Sequence, residues 1–105
     1  MKKEMITECV YFDSIDGLSD EDFISIVDRL ENDFHMRQQG IIDTELVRGK
    51  GPRQWLMIQH WESLDHATDA SRKLMTDETT EIFRRSLDPK TVRISYHEHA
   101  ARWEK

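Results

Sequence analysis

Gln54–Ala67, Gln-Trp-Leu-Met-Ile-Gln-His-Trp-Glu-Ser-Leu-Asp-His-Ala, is the stretch that decides the fold of this chain. Its first half alternates with a period of two. Trp55, Met57, Gln59 and Trp61 point one way, and Leu56, Ile58 and His60 the other. Both sides are largely apolar, so the strand is expected to be covered on both faces. Ser63 then sits where a helix needs an N-cap, and Ala67, Ala70, Leu74 and Met75 follow as the inner face of that helix. Two alanines on that face predict a close approach of helix to sheet. Around Thr76-Asp77 the pattern slips before Ile82, Phe83 and Leu87 resume it, which predicts a kink or a separate short helix.

Outward from this stretch, the other elements fall into place. Ile6–Phe12 reads as a first strand, with Ile6, Glu8, Val10 and Phe12 on one face and Thr7, Cys9 and Tyr11 on the other. A loop through Gly17 leads to Ser19, a cap followed by three acidic residues that suit the positive end of a helix. Phe23, Val27, Leu30 and Phe34 then recur at helical spacing, and Gly40 is the expected stop. Ile41–Arg48 is a strand, joined through Gly49-Lys50-Gly51-Pro52 to the strand that begins at Gln54. Asp88-Pro89-Lys90 is a turn, and Val92, Ile94 and Tyr96 alternate with Arg93, Ser95 and His97 in a last strand.

The predicted order is βαββαβ. That is the ferredoxin-like α+β plan, a four-stranded antiparallel sheet with its helices on one face. At 105 residues the chain is expected to be one domain, residues 1–105. With 34% charged and 37% hydrophobic residues the apolar supply for a core is thin, and a small domain of this kind gains from a second copy. The strand Trp55–Trp61 needs cover on the face the helices leave bare, so a homodimer is expected.

Composition narrows the function. A net charge of −6 disfavours nucleic acid and anionic membranes as partners. The single cysteine, Cys9, allows no intrachain disulfide, and no apolar run approaches a membrane span. A cytoplasmic protein is expected. No Ser-His-Asp ordering, phosphate loop or Cys-x-x-Cys pattern occurs.

Trp61-Glu62-Ser63 followed by Ala67 and Ala70 resembles the strand-to-helix signature of the antibiotic biosynthesis monooxygenase-like (ABM) proteins of the dimeric α/β-barrel superfamily. Ile6-Thr7-Glu8, Asp22-Phe23, Gly40-Ile41 and Trp55 fit the same pattern, so the likeness covers about residues 5 to 99. The resemblance implies a homodimeric barrel with a pocket between sheet and helices in each subunit. It also implies kinship with cofactor-free quinone-forming oxygenases and with haem-degrading enzymes. The haem degraders use an asparagine in strand one with a tryptophan and a histidine in the second helix. Strand one here has no asparagine, and the helix positions fall near Ala70 and Thr80, so no haem and no other cofactor is expected. The quinone-forming enzymes use a pocket asparagine, tryptophan and tyrosine. Trp61 matches only the structural tryptophan of the family and Asn32 falls on the wet side of a helix, so the full set is not here.

Candidate chemistry rests on histidines and aromatic rings. His60, on the central strand, is the first choice for a general base, with His97 second. The plainer reading is a hydrogen-bonded histidine in the sheet or at an interface. His97 and His99, two apart on a strand, form half a metal site that His60 or Glu8 would have to complete, and no metal is expected. His35 and His66, near helix ends, read as surface residues. Tyr11, Phe34, Trp55, Trp61 and Tyr96 are candidates to line a flat pocket for a small aromatic ligand, against the simpler alternative of ordinary core. Arg48, Lys50 and Arg53 crowd the hairpin, where an anion or plain solvent would suit them. Two functions follow. One is a cofactor-independent monooxygenase acting on an aromatic or polyketide-type substrate. The other is a binding or interaction module of the same fold without turnover.

Overall fold

Alternation sets the strands, and a computed structural model describing residues 5–105 assembles them into one antiparallel sheet. The strands are β1 (Ile6–Asp13), β2 (Ile41–Arg48), β3 (Gln54–Trp61) and β4 (Arg93–Glu98), in the order β2-β3-β1-β4. The expected ferredoxin-like plan is therefore the observed one. β1 and β3 are the inner pair, with Phe12 opposite Trp55, Val10 opposite Met57 and Ile6 opposite Trp61. The period-two reading of β3 holds residue by residue: Trp55, Met57, Gln59 and Trp61 are buried, and Leu56, Ile58 and His60 are half-buried.

The helices are α1 (Asp20–Asp33), α2 (Leu64–Leu74) and the short α3 (Glu81–Arg85). Ser19 Oγ accepts from the Asp22 amide at 3.1 Å and Ser63 Oγ from the His66 amide at 3.2 Å, so both predicted caps satisfy otherwise orphaned donors. The slip expected at Thr76-Asp77 is a break, followed by a 3-10 turn over Glu78–Thr80 that leads into α3.

Three details depart from the sequence reading. α1 ends at Asp33, and a 3-10 turn over His35–Arg37 carries the chain to Gly40. Phe34 and His35 are both buried, yet neighbours on a continuous helix point about 100° apart. The break at Phe34 (φ −128°) lets both face inward, and His35 is not the surface residue expected. Met75 is 64% exposed and Ile82 57%, so neither joins the core.

Two clusters hold the helices on. Under α1, Phe12, Phe23, Val27, Leu30, Phe34, Trp55, Met57 and Phe83 form a ring-rich core. Under α2, Ile6, Trp61, Ala67 and Ala70 form a smaller one. The alanines let α2 approach Trp61 closely, as their size predicts. Gly40 belongs to this end: its φ of +84° is left-handed, and an added Cβ would stand 2.3 Å from His66 Cγ.

Candidate functional site

Small residues on α2 and a break before α3 leave the inner face incompletely filled. Between the sheet and these two helices lies a cavity of about 400 Å³, in the range of small-molecule sites. The sheet supplies its floor through Glu8, Val10, Met57, Gln59, Trp61 and Ile94. Ser71, Leu74 and Met75 from the α2 side and Phe83, Arg84 and Leu87 from the α3 side form the roof, and His35 closes one wall.

Glu8 dominates the electrostatics of this space. It alternates with Ile6, Val10 and Phe12 on β1, so the pleat forces its carboxylate onto the helix-covered face. The Trp61 indole Nε1–H donates to Glu8 Oε1 at 2.9 Å, a pair that bridges strands β1 and β3. Burial pushes the Glu8 carboxyl above the usual carboxylate range, while the Trp61 hydrogen bond and the nearby His35 pull it partly back. His35 Nδ1 pairs with Glu31 at 2.5 Å, and its ring packs edge-on to Trp61 with centroids 6.2 Å apart. Gln59 Nε2 donates to Thr44 Oγ1 at 3.0 Å, which fixes its amide. The arrangement offers an acid–base carboxylate, a fixed amide and an imidazole to a ligand that is otherwise in apolar surroundings.

Among solved structures, a protein from Bordetella bronchiseptica provisionally named an antibiotic biosynthesis monooxygenase superposes with a TM-score of 0.77. The two are 19% identical over 94% of this chain and 100% of that one. SnoaB, a cofactor-independent oxygenase from Streptomyces nogalater, superposes with a TM-score of 0.63 at 18% identity over 96% of both chains. A Chloroflexus aurantiacus protein with the same provisional name as the first gives 0.67 at 10% identity, over 95% of this chain and 97% of that one. This chain has the ABM-like fold. No protein-family model and no curated protein matches the sequence. At 10–19% identity the likeness establishes the fold, and the chemistry rests on this chain's own residues.

Within this ABM-like fold the expected site residues scatter. Trp61 lines the cavity, and of the five aromatic candidates it is alone there. Phe34 and Trp55 belong to the core under α1, where the Trp55 indole donates to Ser14 Oγ at 3.3 Å. Tyr96 lies at a second, more open depression of about 470 Å³ beside the start of α2, together with His97, Glu62 and Glu98. Tyr11 is 44% exposed on the outer face of the sheet, the face without helices.

The expected bases also lie away from the cavity. His60 pairs with Thr7 in register, so the pleat turns it to the outer face, where its Nδ1 meets Asp43 at 2.6 Å and its side chain is 30% exposed. The first choice for a general base is thus a hydrogen-bonded histidine on the sheet's outer face, away from the cavity. His97 is opposite Thr7 on the other side and shares that face, with Nε2 at 2.9 Å from Ser95 Oγ. His99 approaches His60, ring centroids 6.5 Å apart. Glu8 is on the opposite face of the sheet, so it cannot complete a site with these histidines, and among the described residues no group of three or more His, Cys, Asp or Glu is placed to hold a metal ion. Among the described residues no helix is long and apolar enough to cross a membrane.

Glu8, His35, Gln59 and Arg84 all escaped the sequence reading as cavity residues. Glu8 left a usable signal: an acidic residue at period two between Ile6, Val10 and Phe12 has to be buried if they are. His35 left none, because its burial depends on where α1 breaks. Cys9 needs no role. It faces outward on β1, and burial, with the charge of Glu8, pushes its thiol up, away from the reactive thiolate.

Proposed function

We propose that this chain is a cofactor-independent monooxygenase that takes a small aromatic or polyketide-type substrate into the cavity between sheet and helices. The observation that carries the reading is the Glu8–Trp61 pair, a buried carboxylate of raised proton affinity facing a largely apolar space. For a substrate in that space Glu8 takes the role of base that the sequence reading gave to His60 and His97. Ionised Glu8 removes a proton from an activated ring CH₂ flanked by carbonyl or phenol groups. The resulting carbanion gives its electrons to dioxygen and forms a C–O bond as a peroxide anion. Protonated Glu8 returns the proton, and loss of water from the hydroperoxide leaves a carbonyl. One oxygen atom enters the product and the other leaves as water, and Glu8 ends as it began. Trp61 holds the carboxylate toward the substrate, and the apolar walls keep water from the carbanion.

The test is oxygen uptake with a dihydroxyanthrone in wild type and in Glu8→Gln. The amide keeps an acceptor for the Trp61 indole but removes the base, so a loss of about 10²–10⁴ in rate is expected. Turnover at the wild-type rate by Glu8→Gln overturns the role of Glu8. Binding without oxygen uptake in the wild type would instead favour a non-catalytic small-molecule-binding module.

The homodimer belongs to the same proposal. Leu56, Ile58, Val47 and Cys9 are half-buried on the outer face in a single chain, with Tyr11 beside them and, among the described residues, no helix or strand over them. A second copy laid sheet to sheet would cover them.

A further inference from the structure

The roof of the cavity carries a cation that the proposed chemistry has not used. Arg84 projects from α3 into the lining. Its Nε donates to Thr80 Oγ1 at 3.0 Å, and one Nη2 proton reaches the Asp77 carbonyl at 3.3 Å. Thr80 is fully buried, and its hydroxyl is directed at the carbonyl oxygens of Leu74, at 2.5 Å, and Asp77, at 2.8 Å. Its lone pairs are thereby turned to Arg84. The guanidinium is thus fixed along one edge, with both Nη1 protons and the second Nη2 proton free of any acceptor among the described residues.

Among the described residues no carboxylate is within ion-pair distance of it; the Asp77 carboxylate accepts instead from the Thr79 amide and hydroxyl, which the charge of Arg84 helps in holding it below the usual range. Arg48 pairs with Asp20, Arg72 with Asp69, Arg85 with Glu81 and Arg102 with Glu104, whereas the guanidinium of Arg84, like those of Arg37 and Arg53, hydrogen-bonds only to neutral oxygens, and of these three Arg84 alone lines the cavity. A planar fork with free donors and no carboxylate hydrogen-bonded to it is a receptor for one, which it can bind through two parallel hydrogen bonds. Beside it, Met75 and Ile94 line the same cavity while 64% and 48% exposed, so apolar surface awaits the body of a ligand. Glu8, on the floor, repels an anion.

We propose that Arg84 sets the ligand class of the cavity as planar aromatic acids, binding their carboxylate at the roof and so directing the uncharged ring system toward Glu8 and Trp61. This inference rests on the reading of the cavity as a site for an aromatic ligand. Arg84 is then a specificity residue, and Thr80 positions it. The anchor fixes which ring carbon meets the base, because reversing the ligand would set its carboxylate against Glu8.

The test compares two probes of one shape, anthraquinone-2-carboxylate and its neutral carboxamide, by calorimetric titration of the full chain. Wild type is expected to bind the carboxylate at least tenfold more tightly. Arg84→Met should lose that preference to within about twofold while keeping its affinity for the carboxamide, and Arg72→Ala, a surface control, should keep the preference. Arg84→Lys, which retains charge without the fork, should fall between and serves if the methionine variant does not fold. Equal binding of both probes by wild type overturns the role of Arg84 and leaves the cavity reading standing. A preference that survives in both Arg84 variants overturns it as well. If wild type binds neither probe, the aromatic-ligand reading itself fails, and this inference with it.

Discussion

The inner face of the sheet is covered twice, and the two covers differ. Under α1, Phe12, Phe23, Phe34, Trp55 and Phe83 fill the space, with Phe23 5.0 Å from Trp55 and Phe12 5.9 Å from Phe83 between ring centroids. Past the alanines that seat α2 on Trp61, the small Ser71 and the broken helix before α3 leave a cavity beside Glu8, His35, Gln59 and Arg84. The same sheet supports both. The dense end supplies most of the apolar burial that stabilises the fold, while the hollow end keeps charged groups out of water without filling the space around them. Stability and function are therefore separable along one sheet, and substitutions at the two ends should have different signatures.

The largest effect on stability is expected at the dense end. Phe23→Ala removes a fully buried ring that touches Phe12, Trp55 and Phe83, and should cost about 3–5 kcal/mol in denaturant unfolding. Ligand affinity measured on the folded fraction should stay close to wild type. A selective loss of binding would show that the two ends are coupled.

Trp61 joins both functions, as a buried ring of the α2 core and as the donor to Glu8. Trp61→Ala should cost a similar 3–5 kcal/mol. Trp61→Phe keeps most of the ring and leaves Glu8 without its indole donor, a loss of about 1–3 kcal/mol. If the phenylalanine variant is as stable as wild type but no longer binds ligand, Trp61 serves the site before the core.

Gly40→Ala attacks the hollow end from behind. It places a Cβ on a left-handed backbone and against His66. A cost of about 1–2 kcal/mol from the backbone conformation alone is expected, measurable as a lower thermal midpoint. An unchanged midpoint would mean that the loop and the start of α2 move apart freely.

Glu8→Gln should shift stability in the opposite direction. Because burial raises the Glu8 carboxyl in the folded chain, that chain holds its proton at pH values where the unfolded chain has released it. Wild-type stability should therefore decline as pH rises from the ordinary glutamate range through the raised folded value. The glutamine variant should lack that decline and be more stable than wild type at neutral pH, even as it loses turnover. A variant less stable than wild type at neutral pH would mean that the ionised carboxylate is better satisfied than its burial implies. For the outer face, sedimentation equilibrium at micromolar concentration should give a dimer, and a folded monomer there would remove the reason offered for its half-buried Leu56 and Ile58.

Much of this architecture is legible in the residues themselves. Period-two alternation fixed β1 and β3 and the face of every residue on them, because side chains on a strand have only two directions. Ser19 and Ser63 marked both helix starts because capping is local chemistry. The facing of Glu8 was readable for the same reason. His60 was correctly placed opposite Trp61 in facing, yet expected in a pocket that lies under the other face. Alternation tells which residues share a face, and it does not tell which face the helices cover. The aromatic candidates scattered because their shared property, being large and apolar, is common to cores, cavities and interfaces alike.

By itself, then, the sequence determined the βαββαβ order, the ferredoxin-like sheet, the caps, the hairpin and the two-sided character of β3, all consequences of interactions between near neighbours in the chain. Only the tertiary structure decided that α1 breaks at Phe34 and buries His35, that a space between the end of α2 and α3 stays open, and that Arg84 lines it without an ion pair. Each of those depends on how residues far apart in sequence share one volume. Local periodicity carries no record of volume, so the cavity and its charges become visible only once the helices lie on the sheet.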